Sequence, residues 1–93
     1  MTQIELVKAR RVRPLSDYRL EIEFGDGSSG VADLGDFVMT GPMMEPLREP
    51  AFFAQVFIEM GVPTWPNGCD IDPTALRMQL KDSGQLHMPL AAE

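Results

Sequence analysis

Residues 18–24, Tyr18-Arg19-Leu20-Glu21-Ile22-Glu23-Phe24, alternate strictly between apolar and charged side chains. Only a β-strand sends every second side chain to one face. The run therefore reads as a strand with Leu20, Ile22 and Phe24 toward a core and Glu21 and Glu23 toward water. Gly25-Asp26-Gly27 follows, and Asp-Gly suits a two-residue hairpin loop because both positions tolerate positive φ. With Asp26 and Gly27 as that loop, the return strand over 28–34 sets Val31 opposite Ile22. Upstream, residues 3–13 carry Ile4, Leu6, Val7, Ala9 and Val12 among basic residues and read as a long first strand. Pro14-Leu15-Ser16-Asp17 is the turn between them, since Pro presets φ while Ser and Asp bond nearby backbone. If Arg13 faces Tyr18, then Arg10 faces Glu21 and Lys8 faces Glu23. Such cross-strand charge pairs contribute roughly 0.2–1 kcal/mol each. Arg11 and Arg13 fit this register poorly, and a bulge near Val12 is expected.

Residues 35–49 are broken by Gly41-Pro42, Pro46 and, just beyond, Pro50, which preclude a long helix. Phe37, Val38, Met43, Met44 and Leu47 are expected to cover one end of the sheet, with Asp33 or Asp36 capping a single helical turn. From Phe52 to Met60 two readings stand. Phe52, Phe53, Val56, Phe57 and Met60 form a helical stripe closed by Gly61, or a single turn after Pro50 leads into a strand over 56–60. Periodicity alone does not separate them. Asp72-Pro73-Thr74 opens a short helix, because Asp accepts hydrogen bonds at the N-cap and Pro suits the first helical position. Ala75, Leu76, Gln79 and Leu80 fall on one face, so the helix docks through Leu76 and Leu80 and ends at Gly84. Residues 1–84 form a single domain, and the tail over 85–93 is expected to be loosely ordered or to reach across to a partner chain.

With 93 residues, 44% of them apolar, the chain buries roughly two-thirds of its unfolded surface in one small core. Net charge is −6, which opposes non-specific attraction to nucleic acid or an anionic membrane. Lys8, Arg10, Arg11, Arg13 and Arg19 nevertheless supply five of the eight basic residues. One cysteine rules out an internal disulfide and any Cys-x-x-Cys metal or redox motif, and with one histidine no two-ligand transition-metal site of either type forms. Reduced thiol chemistry, no apolar leader and no run of about 18 apolar residues lead to the expectation of a soluble, cytoplasmic protein.

The densest cluster of special residues is the run 65–73, Trp65-Pro66-Asn67-Gly68-Cys69-Asp70-Ile71-Asp72-Pro73. Asp70 and Asp72 are two apart, and on a strand both carboxylates would face one side and offer oxygen ligands to a divalent cation. The competing reading spends Asp72 on the helix cap and Asp70 on the turn after Gly68. Trp65 is a candidate contact for a protein partner, against the alternative that it packs over the core. Asn67 belongs to the same surface reading. Cys69 and His87 make a conceivable nucleophilic pair with no local motif behind it. Arg10, Arg11 and Arg13 are the only residues that would carry a nucleic-acid contact, and neither a helix-turn-helix pattern nor stacked aromatics accompany them.

The pattern Val12-x-Pro14-Leu15-x-Asp17-Tyr18-x-Leu20, Phe24-x-Asp26-Gly27, Val31-x-Asp33-Leu34, then Phe53-x-x-Val56 and Trp65-Pro66-Asn67-Gly68-x-Asp70-Ile71-x-Pro73-x-x-Leu76 resembles the family called domain of unknown function 2442. The likeness runs from about residue 4 to residue 80, and the Trp-Pro-Asn-Gly-x-Asp run is its most specific part. It implies an α+β domain: an antiparallel sheet of about five strands, a helical turn near Phe53, and a short helix from Asp72 packed on the sheet. It selects the strand over 56–60. Members resemble partners in two-gene modules of toxin–antitoxin type, and some carry an added helix-turn-helix domain. On that basis the chain reads as a non-enzymatic interaction or regulatory domain without a cofactor, the antitoxin-like half of a bacterial pair. Its partner is then the neighbouring gene product, or a second copy meeting an open sheet edge. The alternatives are a metal- or ligand-binding protein or enzyme built on Asp70 and Asp72, and a DNA-associated module built on the first strand.

Overall fold

A computed structural model describes residues 7–89. Strands β1 (Ala9–Pro14), β2 (Arg19–Phe24) and β3 (Ser29–Asp33) form an antiparallel meander in that order. Two 3-10 helices (Phe37–Met39 and Pro42–Arg48) and the one-turn α1 (Pro50–Phe53) lead to a second hairpin, β4 (Phe57–Glu59) with β5 (Val62–Thr64). Helix α2 (Pro73–Asp82) follows. The α+β expectation holds, with its five strands split between two sheets, and residues 57–59 are strand rather than helix.

Both hairpins of the meander differ in register from the sequence reading, each for a local reason. In β1–β2 the turn lies further along the chain, with Asp17 at φ +61° and Tyr18 at φ +59°. The Arg19 N–H donates to the Ser16 carbonyl at 3.3 Å and the Leu15 N–H to the Arg19 carbonyl at 2.8 Å. Tyr18 therefore leaves the strand, and the pairs become Arg13 with Glu21, Val12 with Ile22 and Arg11 with Glu23. The bulge falls at Arg10 rather than near Val12, between the Ala9–Phe24 and Arg11–Glu23 pairs. In β2–β3 the Phe24 N–H donates to the Ser28 carbonyl at 2.8 Å, so the loop has three residues. Asp26 is the cause: its Oδ1 accepts the Ser28 backbone N–H at 2.9 Å and the Ser28 hydroxyl. Ile22 then faces Gly30, and Val31 faces Glu21. A one-residue slip exchanges the two faces of a strand, which leaves Val31 38% exposed and turns Ala32 inward.

Left-handed backbone at an aromatic residue costs about 1–3 kcal/mol and persists only where the surroundings over-determine it. At Tyr18 they do. Its hydroxyl donates to the Arg48 carbonyl, and its ring meets Phe53 edge-on at 5.7 Å and 85°. Arg48 in turn donates through Nε to Val38 O at 2.7 Å and through Nη2 to Gly41 O at 3.2 Å, tying both 3-10 helices together. Val38 and Leu47 close the sheet's end as expected, with Phe37 and Met44 packed beside them. Met43 does not, since its side chain is 64% exposed. Asp33 accepts the Gly35 N–H at 2.9 Å, and Asp36 makes no side-chain cap.

Asp72 caps α2 by accepting the Thr74 N–H at 3.0 Å, and Pro73 takes the first helical position. Leu76 and Leu80 are buried, whereas Ala75 and Gln79 are exposed, so the docking face is narrower than the sequence pattern implied. Beyond Gly84 (φ +75°), the Gln85 N–H returns to the Leu80 carbonyl at 2.8 Å. The tail expected to be loose lies against β3 as far as it is described. Ser29 and His87 exchange backbone hydrogen bonds of 2.9 and 2.7 Å. The N-terminal part of the expected first strand and residues 90–93 of the tail lie outside the described residues.

Gly30 is where α2, the tail and β3 meet. A Cβ there would stand 2.9 Å from the Gln85 carbonyl oxygen and 3.0 Å from Leu80 Cδ1. Gly30→Ala is expected to lower stability by about 1–3 kcal/mol, because the crowded atom is backbone and the helix must lift. Urea unfolding checks this, and an unchanged midpoint would show that α2 does not bear on β3 there.

Candidate functional site

Most residues of the 65–73 run have a structural task. The Trp65 side chain is fully buried, so it is not a surface contact. Its indole N–H donates to the Phe53 carbonyl at 3.0 Å, and its ring lies 5.8 Å from Phe53 and 6.2 Å from Phe37. The loop is closed by the Trp65 N–H to Cys69 O at 2.8 Å and the Gly68 N–H to Trp65 O at 2.9 Å. Gly68 sits at φ +90°, a conformation open to glycine. Asn67, not Asp70, fixes the turn. Its Oδ1 accepts the Cys69 N–H at 3.2 Å, while its Nδ2 donates to Met43 O at 3.1 Å. The Cys69 thiol is buried and donates to the same carbonyl at 3.1 Å. Asp72 is engaged as the helix cap. Asp70 pairs through its backbone with Thr64 and leaves its side chain exposed. The described residues hold no group of three or more potential metal-ligating side chains.

The arginines named from the sequence come together on the outer face of the meander. A regular strand would send Arg10 to the face opposite Arg11. The bulge at Arg10 removes that alternation, and both guanidiniums reach one carboxylate: Arg10 Nη2 at 2.9 Å from Glu23 Oε2, and Arg11 Nε at 3.3 Å from Glu23 Oε1. Arg13 Nε donates to Glu21 Oε1 at 2.7 Å. The expected partnerships of Lys8 with Glu23 and Arg10 with Glu21 are replaced by these. The Glu23 carboxyl is held below its ordinary pKa, first by the Arg10 hydrogen bond and then by the charges of Arg10 and Arg11. Arg11, Val12, Arg13, Glu21, Ile22, Glu23 and Ser29 line a concavity of about 540 Å³. A smaller one, about 380 Å³, lies where the Tyr18 turn meets α1.

A second charged cluster is structural. Arg77 on α2 donates to Asp26 Oδ2 at 2.9 Å and to Ser28 Oγ at 3.2 Å, clamping the helix to the β2–β3 loop. The Ser28 hydroxyl and N–H are the largest influences lowering the Asp26 pKa, with Arg77 adding to them. Sequence reasoning missed Arg77. Its position one residue after Leu76 on the docking helix was the available signal.

An antiparallel meander, a short second hairpin and one capped helix, the last two joined by a Trp-Pro-Asn-Gly turn anchored through the buried Trp65, define a small α+β domain with a charged outer sheet. The family model described as protein of unknown function (DUF2442) matches residues 9–82, from the start of β1 to the end of α2. The chain belongs to that family. No curated protein and no solved structure matches it.

Because Asp26 titrates below its ordinary value of 3.8 when folded, its contribution to stability is complete above that pH. It is lost as pH falls through the folded value. Asp26→Asn should therefore narrow the gap in urea midpoint between pH 7 and pH 3 relative to the parent chain. An unchanged gap would show that the clamp does not depend on the carboxylate's charge.

Proposed function

We propose that this chain is a non-enzymatic interaction domain, the regulatory, antitoxin-like half of a two-protein module, with its outer sheet as the contact surface. The observation that carries the reading is the bulge that places Arg10 and Arg11 on one face beside Arg13. Bulges are retained where a strand must re-aim a side chain, and here the re-aimed group is a cation beside Arg11 and Arg13, which line a concavity of about 540 Å³. The side chains that would do chemistry are occupied otherwise. Cys69 is buried against Met43 O, Asp72 caps α2 and Trp65 is interior.

The reading places the partner in the neighbouring gene and the protein in the cytoplasm. Among the described residues no helix is long and apolar enough to cross a membrane. DNA is the weaker partner, because its backbone needs several phosphate contacts while Arg10, Arg11 and Arg13 are each ion-paired and exceed their carboxylates by a single charge. A homodimer would compete for the same exposed sheet and is distinguished by the mass of the protein alone in solution.

Size exclusion at micromolar concentration tests the proposal. The protein and the neighbouring gene product should co-elute. The double reversal Arg11→Glu/Arg13→Glu should weaken the complex about tenfold or more while the circular dichroism spectrum is kept. Separate elution of the two parent proteins would overturn it.

A further inference from the structure

The outer sheet face carries a charge imbalance that a ligand can satisfy. Three guanidiniums, from Arg10, Arg11 and Arg13, meet two carboxylates, from Glu21 and Glu23. Glu23 already takes a hydrogen bond from Arg10 at 2.9 Å, and Arg11, with its side chain 78% exposed, reaches it only as a 3.3 Å ion pair. Arg13 uses Nε alone on Glu21, and its side chain is 70% exposed. A guanidinium has five N–H donors in a fixed fork, so both residues keep donors that a carboxylate can take in bidentate fashion.

We infer that the face binds an acidic, extended protein segment, with two carboxylates two residues apart seated on Arg11 and Arg13. The inference rests on the interaction-domain reading above and names the chemistry of its partner. The spacing follows from the strand itself. Arg11 and Arg13 lie on one face of β1, about 6.4–6.8 Å apart along it at 3.2–3.4 Å per residue. An extended ligand repeats its own side chains at the same interval, so acid-x-acid matches where two adjacent acids do not. Ser29, which pairs with Glu23 in the sheet, adds a hydroxyl at the β3 side of the concavity.

The overall charge of −6 does not oppose this binding at working salt. At about 0.15 M ionic strength charges more than about 8 Å away are screened, and the local sum of three cations and two anions is positive. The same imbalance of a single charge is too small to hold a nucleic-acid backbone, which needs several phosphate contacts.

Fluorescence anisotropy with three labelled probes tests the inference. The first is an extended peptide bearing Glu-Thr-Glu, the second has the same composition with its two Glu adjacent, and the third is a short DNA duplex. The first should bind, and the second several-fold more weakly. Arg11→Ala/Arg13→Ala should reduce binding of the first about tenfold without changing the circular dichroism spectrum, whereas Glu21→Gln, which frees Arg13, should tighten it. Equal binding of the two peptides, no binding of either, indifference to the arginine substitutions, or preference for the DNA would each overturn it. A neighbouring gene product that binds the Arg11→Ala/Arg13→Ala protein as well as the parent would sink this inference and leave the interaction-domain reading standing. A gene product that binds neither protein would remove that reading itself.

Discussion

The indole of Trp65 anchors the β4–β5 hairpin to α1, while the Ala9 N–H bonds the Gly61 carbonyl at 2.7 Å to join β1 to the same hairpin. The indole N–H takes the carbonyl of Phe53, and the ring packs on Phe53 and Phe37 with no exposure to solvent. Phe53 then meets Tyr18 edge-on, Tyr18 donates to the Arg48 carbonyl, and Arg48 holds the carbonyls of Val38 and Gly41. One run of contacts thus links the β4–β5 hairpin, α1, both 3-10 helices and the strained turn of the meander. A chain of this size has little apolar surface to spare, and buried polar groups without partners would cost about 1–3 kcal/mol each. Among the described residues no buried side-chain nitrogen or oxygen lacks a partner. The Asn67 turn belongs to the same economy: one amide side chain satisfies the Cys69 N–H and reaches across to Met43.

This arrangement separates structure from contact. In the loop over 65–70, Trp65 and Cys69 are turned inward and Asn67 is spent on hydrogen bonds to Cys69 and Met43, while Pro66 and Asp70 face solvent. The outer sheet bears charge in excess of its own pairing. Exposed ion pairs of this kind contribute little to stability, roughly 0–1 kcal/mol, so the bulge at Arg10 is poorly explained by folding alone. A contact with an acidic partner gives it a reason.

Much of the fold was legible from the sequence. The alternation over 19–24, the Asp72-Pro73 helix start and the apolar pair Leu76 and Leu80 each carry their own periodicity or capping chemistry, and they sit where expected. The registers were not legible, because each turned on one side chain's hydrogen bonds. Asp26 lengthened one loop by holding Ser28, and Tyr18 abandoned the strand to reach Arg48. The bulge had a visible trace: inward-facing Ala9 and buried Ile22's neighbour Val12 are three apart, a spacing no regular strand sends to one face. Of the candidate residues, Arg10, Arg11 and Arg13 do converge. Trp65 and Asn67 were conspicuous for structural reasons, and nothing in the one-dimensional pattern separates a buried tryptophan from an exposed one.

The substitution Trp65→Phe tests the central claim most directly, with stability by urea unfolding and affinity for the neighbouring gene product measured on the same protein. It keeps an aromatic ring but removes the 3.0 Å indole donor from the Phe53 carbonyl, which then retains only the 3.4 Å bond from the Val56 N–H. The expected result is a loss of about 1–3 kcal/mol in stability, with affinity unchanged under conditions where the variant is folded. Unchanged stability together with lost affinity would place Trp65 in the contact surface and contradict the account.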